Sequence, residues 1–183
     1  MKFLVFILLA SLLYAESSDN QSQQPVTSAF PDWANESLFG RYQNAWAAIN
    51  ETNVTYYMVM ATHNVDTYFG QNFTCVRVKT TSVYSNDTVQ AELKFRNATN
   101  NTITFMSNTT AVTRYNYTIP NAIQFGAQGN STEMGVFVYS YPQQCDLLSV
   151  RNGTDLQLWV HENFTEQVPM CCQFLYDYFR PKK

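Results

Sequence analysis

From residue 54 to residue 161 the chain alternates short runs rich in Val, Thr, Tyr and Phe with clusters of Asn, Gly, Asp and Pro. That texture predicts strands joined by turns. The candidate strands are 54–61, 73–83, 88–96, 102–107, 111–118, 122–125, 134–139, 146–150 and 156–161. Eight or nine consecutive strands with short links predict a mainly β fold, an eight-stranded antiparallel up-and-down barrel. Closure removes the exposed edges of such a sheet, and eight strands enclose room for one small ligand. Helical spacing appears at the two ends. Trp33, Phe39, Tyr42, Trp46 and Ile49 predict an amphipathic helix over 32–49, broken at Gly40 and covering one end of the sheet. Residues 167–179 predict a second helix, packed on the outside of the barrel through Phe174, Leu175, Tyr178 and Phe179. In the first strand Tyr56, Met58 and Met60 share one face and Tyr57, Val59 and Ala61 the other, and alternation alone does not choose which looks inward.

The N-terminus carries a different pattern. Met1-Lys2 leads into an apolar run of about eleven residues, followed by Tyr14-Ala15 and the polar Glu16-Ser17-Ser18, which predicts a signal peptide over 1–15 cleaved before Glu16. The run is shorter than the ~20 residues of a membrane-spanning helix. Residues 16–30 are polar, rich in Ser and Gln, and predict a flexible lead-in to a single domain over 31–183. Secretion places the chain in an extracellular, oxidising compartment. Roughly a dozen Asn-x-Ser/Thr sequons agree with that, among them Asn35, Asn50, Asn72, Asn86, Asn97, Asn116, Asn130, Asn152 and Asn163, and glycans on them must point outward.

A net charge of -3 with scattered Lys and Arg leaves no basic face for nucleic acid or an anionic membrane surface. Aromatic residues at 15% match charged ones at 14%, which favours strands and an aromatic-lined interior. Neither His63 nor His161 sits in a nucleophile motif, so an enzyme is not expected. The four cysteines, Cys75, Cys145, Cys171 and Cys172, allow three full pairings. A bond between the adjacent Cys171 and Cys172 would be strained, so the tail helix is expected to be stapled to the strands of Cys75 and Cys145. Cys-Cys lacks the spacing of zinc motifs, so no metal and no other cofactor is expected.

Residues 44–46 (NAW), 55–62 (TYYMVMAT), 73–76 (FTCV), 145–148 (CDLL), 156–159 (LQLW) and 168–172 (VPMCC) together resemble, in order and spacing, the landmarks of the tick salivary lipocalins, and among them the histamine-binding proteins. The resemblance implies a monomeric scavenger that performs no turnover and sequesters a biogenic amine such as histamine or serotonin to suppress host inflammation. It also implies that Cys145 pairs with Cys172, and that Cys75 bonds a cysteine lying past the last residue of this sequence, is met instead by Cys171, or stays free along with it. Two alternatives stand beside the amine: a lipid mediator such as a leukotriene or fatty acid, whose carboxylate Lys79, Lys94 or Arg114 would meet, and a host-protein (complement) binding module.

Histamine has about eight heavy atoms, so at ~1.5 kcal/mol per atom it gains at most ~12 kcal/mol. Buried carboxylates and aromatic faces must therefore each contribute. By resemblance Asp66 falls on a pocket acid, and His63, Phe69, Phe125 and Trp159 fall on or beside the lining. Gln157 stands where the family has glutamate, and two further pocket acids fall near Ser107 or Asn108 and at Gly135. Glu133, on the same strand face as Gly135, is a candidate replacement. Glu51 and Asp146 retain acids for a second amine site. Trp46 is either a lining residue or core, and Asp66 has the competing reading of a turn cap.

Overall fold

The computed structural model describes residues 30–84, 87–126 and 132–181. The expected signal peptide, nearly all of the lead-in, and the sequons at Asn86 and Asn130 lie outside them. In chain order the strands are β1 (Thr55–Ala61), β2 (Val65–Asp66), β3 (Gly70–Gln71), β4 (Thr74–Val83), β5 (Thr88–Arg96), β6 (Thr102–Val112), β7 (Ala122–Gly126), β8 (Thr132–Tyr141), β9 (Cys145–Val150) and β10 (Asp155–His161). Eight of them close into an antiparallel barrel in the order β1-β10-β9-β8-β7-β6-β5-β4, while β2 and β3 form a small hairpin. The barrel shuts where Thr55, Tyr56 and Tyr57 pair with Lys79, Val78 and Arg77.

The expected eight-stranded up-and-down barrel is thus present, with three local corrections. The residues placed in strands at 102–107 and 111–118 instead form one strand, β6, which stops at Val112 and leaves 113–118 in a turn; it runs unbroken through Asn108-Thr109-Thr110, because Thr109 and Thr110 pair with Val89 and Thr88 on one side and Phe125 and Gln124 on the other. The β2-β3 hairpin has no two-residue alternation long enough to announce it. Third, the single helix over 32–49 is instead α1 (Glu36–Phe39), a 3₁₀ turn (Gly40–Tyr42) and α2 (Ala45–Ile49). Asn35 and Asn44 each cap a new start, accepting hydrogen bonds from the Leu38 and Ala47 amides. Between them Gln43 is fully buried, and its side-chain amide donates to Trp33 O and Val138 O, both at 2.9 Å. That buried polar anchor fixes the segment across the barrel wall where a continuous helix would carry it away.

Strand alternation divides the apolar residues into two cores. Inside the barrel, Phe69, Val76, Ala91, Leu93, Phe95, Ala111, Phe137, Leu148 and Trp159 pack together. On the outer wall, Val136, Val138, Leu147, Leu156, Leu158 and Val160 meet Trp33, Cys172 and Tyr176. β9 is buried at every position, with Leu147 in the outer core and Leu148 in the inner one. In β1, Tyr56 and Met58 pack with the inner core and Val59 and Met60 with the outer one; an irregularity in the β1-β10 register between Met58 and Met60 shifts the alternation.

The C-terminal helix α3 (Met170–Phe179) lies against that outer wall, as expected, but not through all four expected residues. Leu175 and Phe179 pack inward with the buried Cys172 and Tyr176, whereas Phe174 and Tyr178 are 64% and 67% exposed. The disulfide Cys145–Cys172 sets this rotation: at 100° per residue, the face carrying Cys172 also carries Leu175, Tyr176 and Phe179. Cys75 and Cys171 are both free and exposed, so the staple between the strand of Cys75 and the tail helix is not formed.

Candidate functional site

The barrel interior holds a cavity of about 100 Å³. One end is closed by Ala48 and Ile49 of α2, together with Glu51 and Val54 just before β1. Its walls come from alternate residues of the strands: Tyr56, Val78 and Thr80, Val89 to Leu93, Thr109, Ile123 and Phe125, Phe137, Asp146 and Leu148, Gln157 and Trp159. Phe69, on the β2-β3 hairpin, closes the opposite side.

The chemistry concentrates at the α2 end. Asp146 is 8% exposed, and its Oδ1 has no hydrogen-bond partner. Burial pushes its carboxyl up to about 7; a hydrogen bond from the Ser140 side chain opposes the rise and the nearby Glu51 charge adds to it. Tyr56 is held above its ordinary range, first by burial and then by the charges of Asp146 and Glu51, which places all three groups within electrostatic reach. Trp159 is the register partner of Asp146 on the adjacent strand. Among the described residues no Lys or Arg lines the cavity, so the buried Asp146 carboxyl meets aromatic rings without a cation from that lining to balance it. Such a charge is costly unless a ligand supplies the counterion.

Gln157 links this cavity to a second polar group. Its Oε1 accepts from Trp159 Nε1 at 3.1 Å, and its Nε2 lies 3.4 Å from His63 Nε2. The same His63 nitrogen is 3.3 Å from Asp66 Oδ2, with both side chains almost wholly buried. Asp66 Oδ1 accepts from the amides of Tyr68 at 2.8 Å and Phe69 at 3.2 Å. Burial works to raise the Asp66 pKa, but the His63 hydrogen bond and the two amides outweigh it and hold it below the usual carboxylate value. This is an Asx turn that seats Phe69 in the cavity. Asp66 itself does not line it.

Of the residues singled out from sequence, the structure brings Glu51, Phe69, Phe125, Asp146, Gln157 and Trp159 together on the cavity wall. His63 stands behind Gln157 and faces a separate cleft between β1 and β4, beside Cys75. Trp46 packs against the inner core without lining the cavity. Glu133 pairs in register with Phe125 and borders a surface cleft with Arg114 and Arg151. Lys79 and Lys94 alternate with the inward-facing Val78, Thr80 and Leu93 along their strands, which directs them outward. Residues not singled out include Thr109, Ile123, Phe137 and Leu148; alternation marks them as one face of a strand, but only closure makes that face the inside.

Residues 33–183 match the profile of the family described as tick histamine binding protein. Over 188 aligned residues the chain is 33% identical to a male-specific histamine-binding salivary protein of Rhipicephalus appendiculatus, covering 98% of this chain and 88% of that one. Among solved structures it is similar to AM182 in its serotonin complex, with a TM-score of 0.54 at 17% identity, covering 75% of this chain and 86% of that one. It is also similar to Japanin from Rhipicephalus appendiculatus bound to cholesterol, with a TM-score of 0.51 at 15% identity, covering 73% and 90%. Both structural likenesses concern the fold.

Proposed function

The chain belongs to the tick histamine binding protein family, and from that premise we propose that it is a secreted, monomeric scavenger which sequesters a biogenic amine, histamine or serotonin, in the barrel interior and so suppresses host inflammation. The observation that carries this reading is Asp146, a buried carboxyl with an unpartnered oxygen on the wall of a cavity whose described lining includes no Lys or Arg. A ligand ammonium supplies the missing charge. Tyr56 and Trp159 offer ring faces beside it, Glu51 adds negative potential at the same end, and Phe69 and Phe125 contact the ligand's ring.

The family and the salivary relative favour an amine and an extracellular setting. The cavity, about 100 Å³, is smaller than the ~150 Å³ of an engineered cavity that holds benzene, so any ligand enters by moving wall side chains apart, and a compact amine asks for less of that movement than a twenty-carbon lipid. Among the described lining residues a twenty-carbon lipid acid would also find no Lys or Arg to meet its carboxylate.

Calorimetric titration of the mature protein with histamine and serotonin, then with a leukotriene and arachidonate, tests the proposal. Submicromolar amine binding that Asp146→Asn abolishes is the expected outcome. Lipid binding without amine binding would discard it.

A further inference from the structure

We propose that Cys171 and Cys172 are alternative partners of Cys145, and that exchange between them turns α3 by one residue, about 100°, against the outer wall of the barrel. The device stands apart from the cavity and its ligand. Its first mark is in the sequence of the helix. The packed face is Cys172, Leu175, Tyr176 and Phe179, a cysteine followed by apolar residues three, four and seven positions on. Cys171, Phe174, Leu175 and Tyr178 repeat that spacing one residue earlier. Each setting offers the wall a cysteine and three apolar side chains, with Leu175 common to both.

Polar residues limit the choice to these two settings. Gln173, Asp177 and Arg180 fall within one arc of the helical wheel, and Arg180 pairs with Asp177 at 3.4 Å. A turn that put Gln173 in the place of Cys172 would press Gln173 and Asp177 onto the wall. The turn toward Cys171 keeps all three in water. Phe174 and Tyr178, now 64% and 67% exposed, are buried by it, and Tyr176 and Phe179 are presented in their stead. One Phe and one Tyr replace one Tyr and one Phe, so the apolar area removed from water is similar in the two settings.

The sulfur atoms are placed for the exchange. Cys171 Sγ lies 3.8 Å from Cys172 Sγ, which is bonded to Cys145, and the Cys171 thiol is free. Tyr139 is held above its ordinary range by burial and then by the Cys171 thiol, so this sulfur borders β8, next to the strand that carries Cys145. In the exchange the Cys171 thiolate attacks the Cys145 sulfur. A Cys145–Cys171 bond forms, the Cys145–Cys172 bond breaks, and the electron pair leaves on Cys172, which takes up the proton that Cys171 gave. One disulfide and one thiol stand on each side, so no oxidant or reductant is consumed.

The test uses the secreted full chain with Cys75→Ser, which removes the other free thiol. The protein is equilibrated in a glutathione redox buffer at pH 8, quenched with acid, alkylated and mapped by tandem mass spectrometry. The alkyl label is expected on Cys172 in roughly 1–10% of molecules and on Cys171 in the rest; label on Cys171 alone overturns the proposal. Cys172→Ser in the same background is expected to form the Cys145–Cys171 bond, and a free Cys145 thiol there overturns it as well. Tm then reads the rotation. Phe174→Ser is expected to lower it by about 5–10 °C in the Cys172→Ser protein and by less than about 2 °C where Cys172 is present, and Phe179→Ser to show the reverse order. Losses that do not change places between the two backgrounds overturn the rotation. The labelling does not depend on whether Cys172→Ser folds.

Discussion

Asp146 must lose its proton before it can pair with an ammonium. With its carboxyl near 7, the unliganded protein below that pH holds a neutral acid that an arriving amine has to deprotonate. Affinity is therefore expected to be level above about pH 8 and to weaken up to about tenfold per unit below pH 7. Titrations from pH 5.5 to 8.5 would show the bend, and a flat profile would mean that another group carries the charge. Asp146→Asn removes the pairing altogether, a loss of ~2–5 kcal/mol. Asp66→Asn behaves differently, because Asp66 holds a turn. Binding should remain within a few-fold, while stability falls by about 1–2 kcal/mol through the weakened His63 and amide hydrogen bonds. Paired binding and melting measurements on these two variants separate the roles.

The helix α3 shows what a disulfide decides beyond stability. Its sequence places aromatic residues nearly all round, so periodicity selected Phe174 and Tyr178 for the packed face along with Leu175 and Phe179. The bond from Cys172 to the fully buried Cys145 chose the rotation instead. Phe174→Ser and Tyr178→Ser are expected to change stability by less than about 0.5 kcal/mol. Replacing Cys145 and Cys172 together by Ala, which opens a link of sequence separation 27, should cost about 3–4 kcal/mol in denaturant unfolding. A large loss from the serine variants would place the packed face elsewhere. The strands were more legible than the helices for a physical reason. Period-two alternation survives wherever one face meets a core, so β5 was located to the residue. The N-terminal turns depend on capping by Asn35 and Asn44 and on the reach of Gln43 to Val138, a contact 95 positions away that local spacing does not contain. The β6 continuity likewise depends on its two neighbours, because Asn108-Thr109-Thr110 looks like a turn when read alone.

In the folded molecule the site emerges from closure, which explains how far sequence could reach it. Asp146, Glu51, Gln157 and Trp159 were visible as chemistry-bearing residues near strands. That Asp66 turns away to hold Phe69 while Asp146 faces the cavity follows only when β1, β9 and β10 are set side by side. The same closure makes binding and stability oppose each other. Asp146 titrates near 3.9 in an unfolded chain and near 7 in the native one, so the native state holds this proton more tightly. Its favourable contribution is complete below the unfolded value and is lost as pH rises through the native one, a decline of about 4 kcal/mol between roughly pH 4 and 8. Asp146→Asn lacks that proton exchange. The difference in unfolding free energy between the variant and the wild type should therefore grow in the variant's favour from pH 5 to pH 8, and taking the difference cancels what the two proteins share. At pH 8 an amine at 100 times its Kd should restore about 2.7 kcal/mol to the wild type, or roughly 5–10 °C in Tm, and nothing to the variant. A variant that gains no stability over the wild type as pH rises, or that is stabilised equally by the amine, would remove Asp146 from the centre of the site.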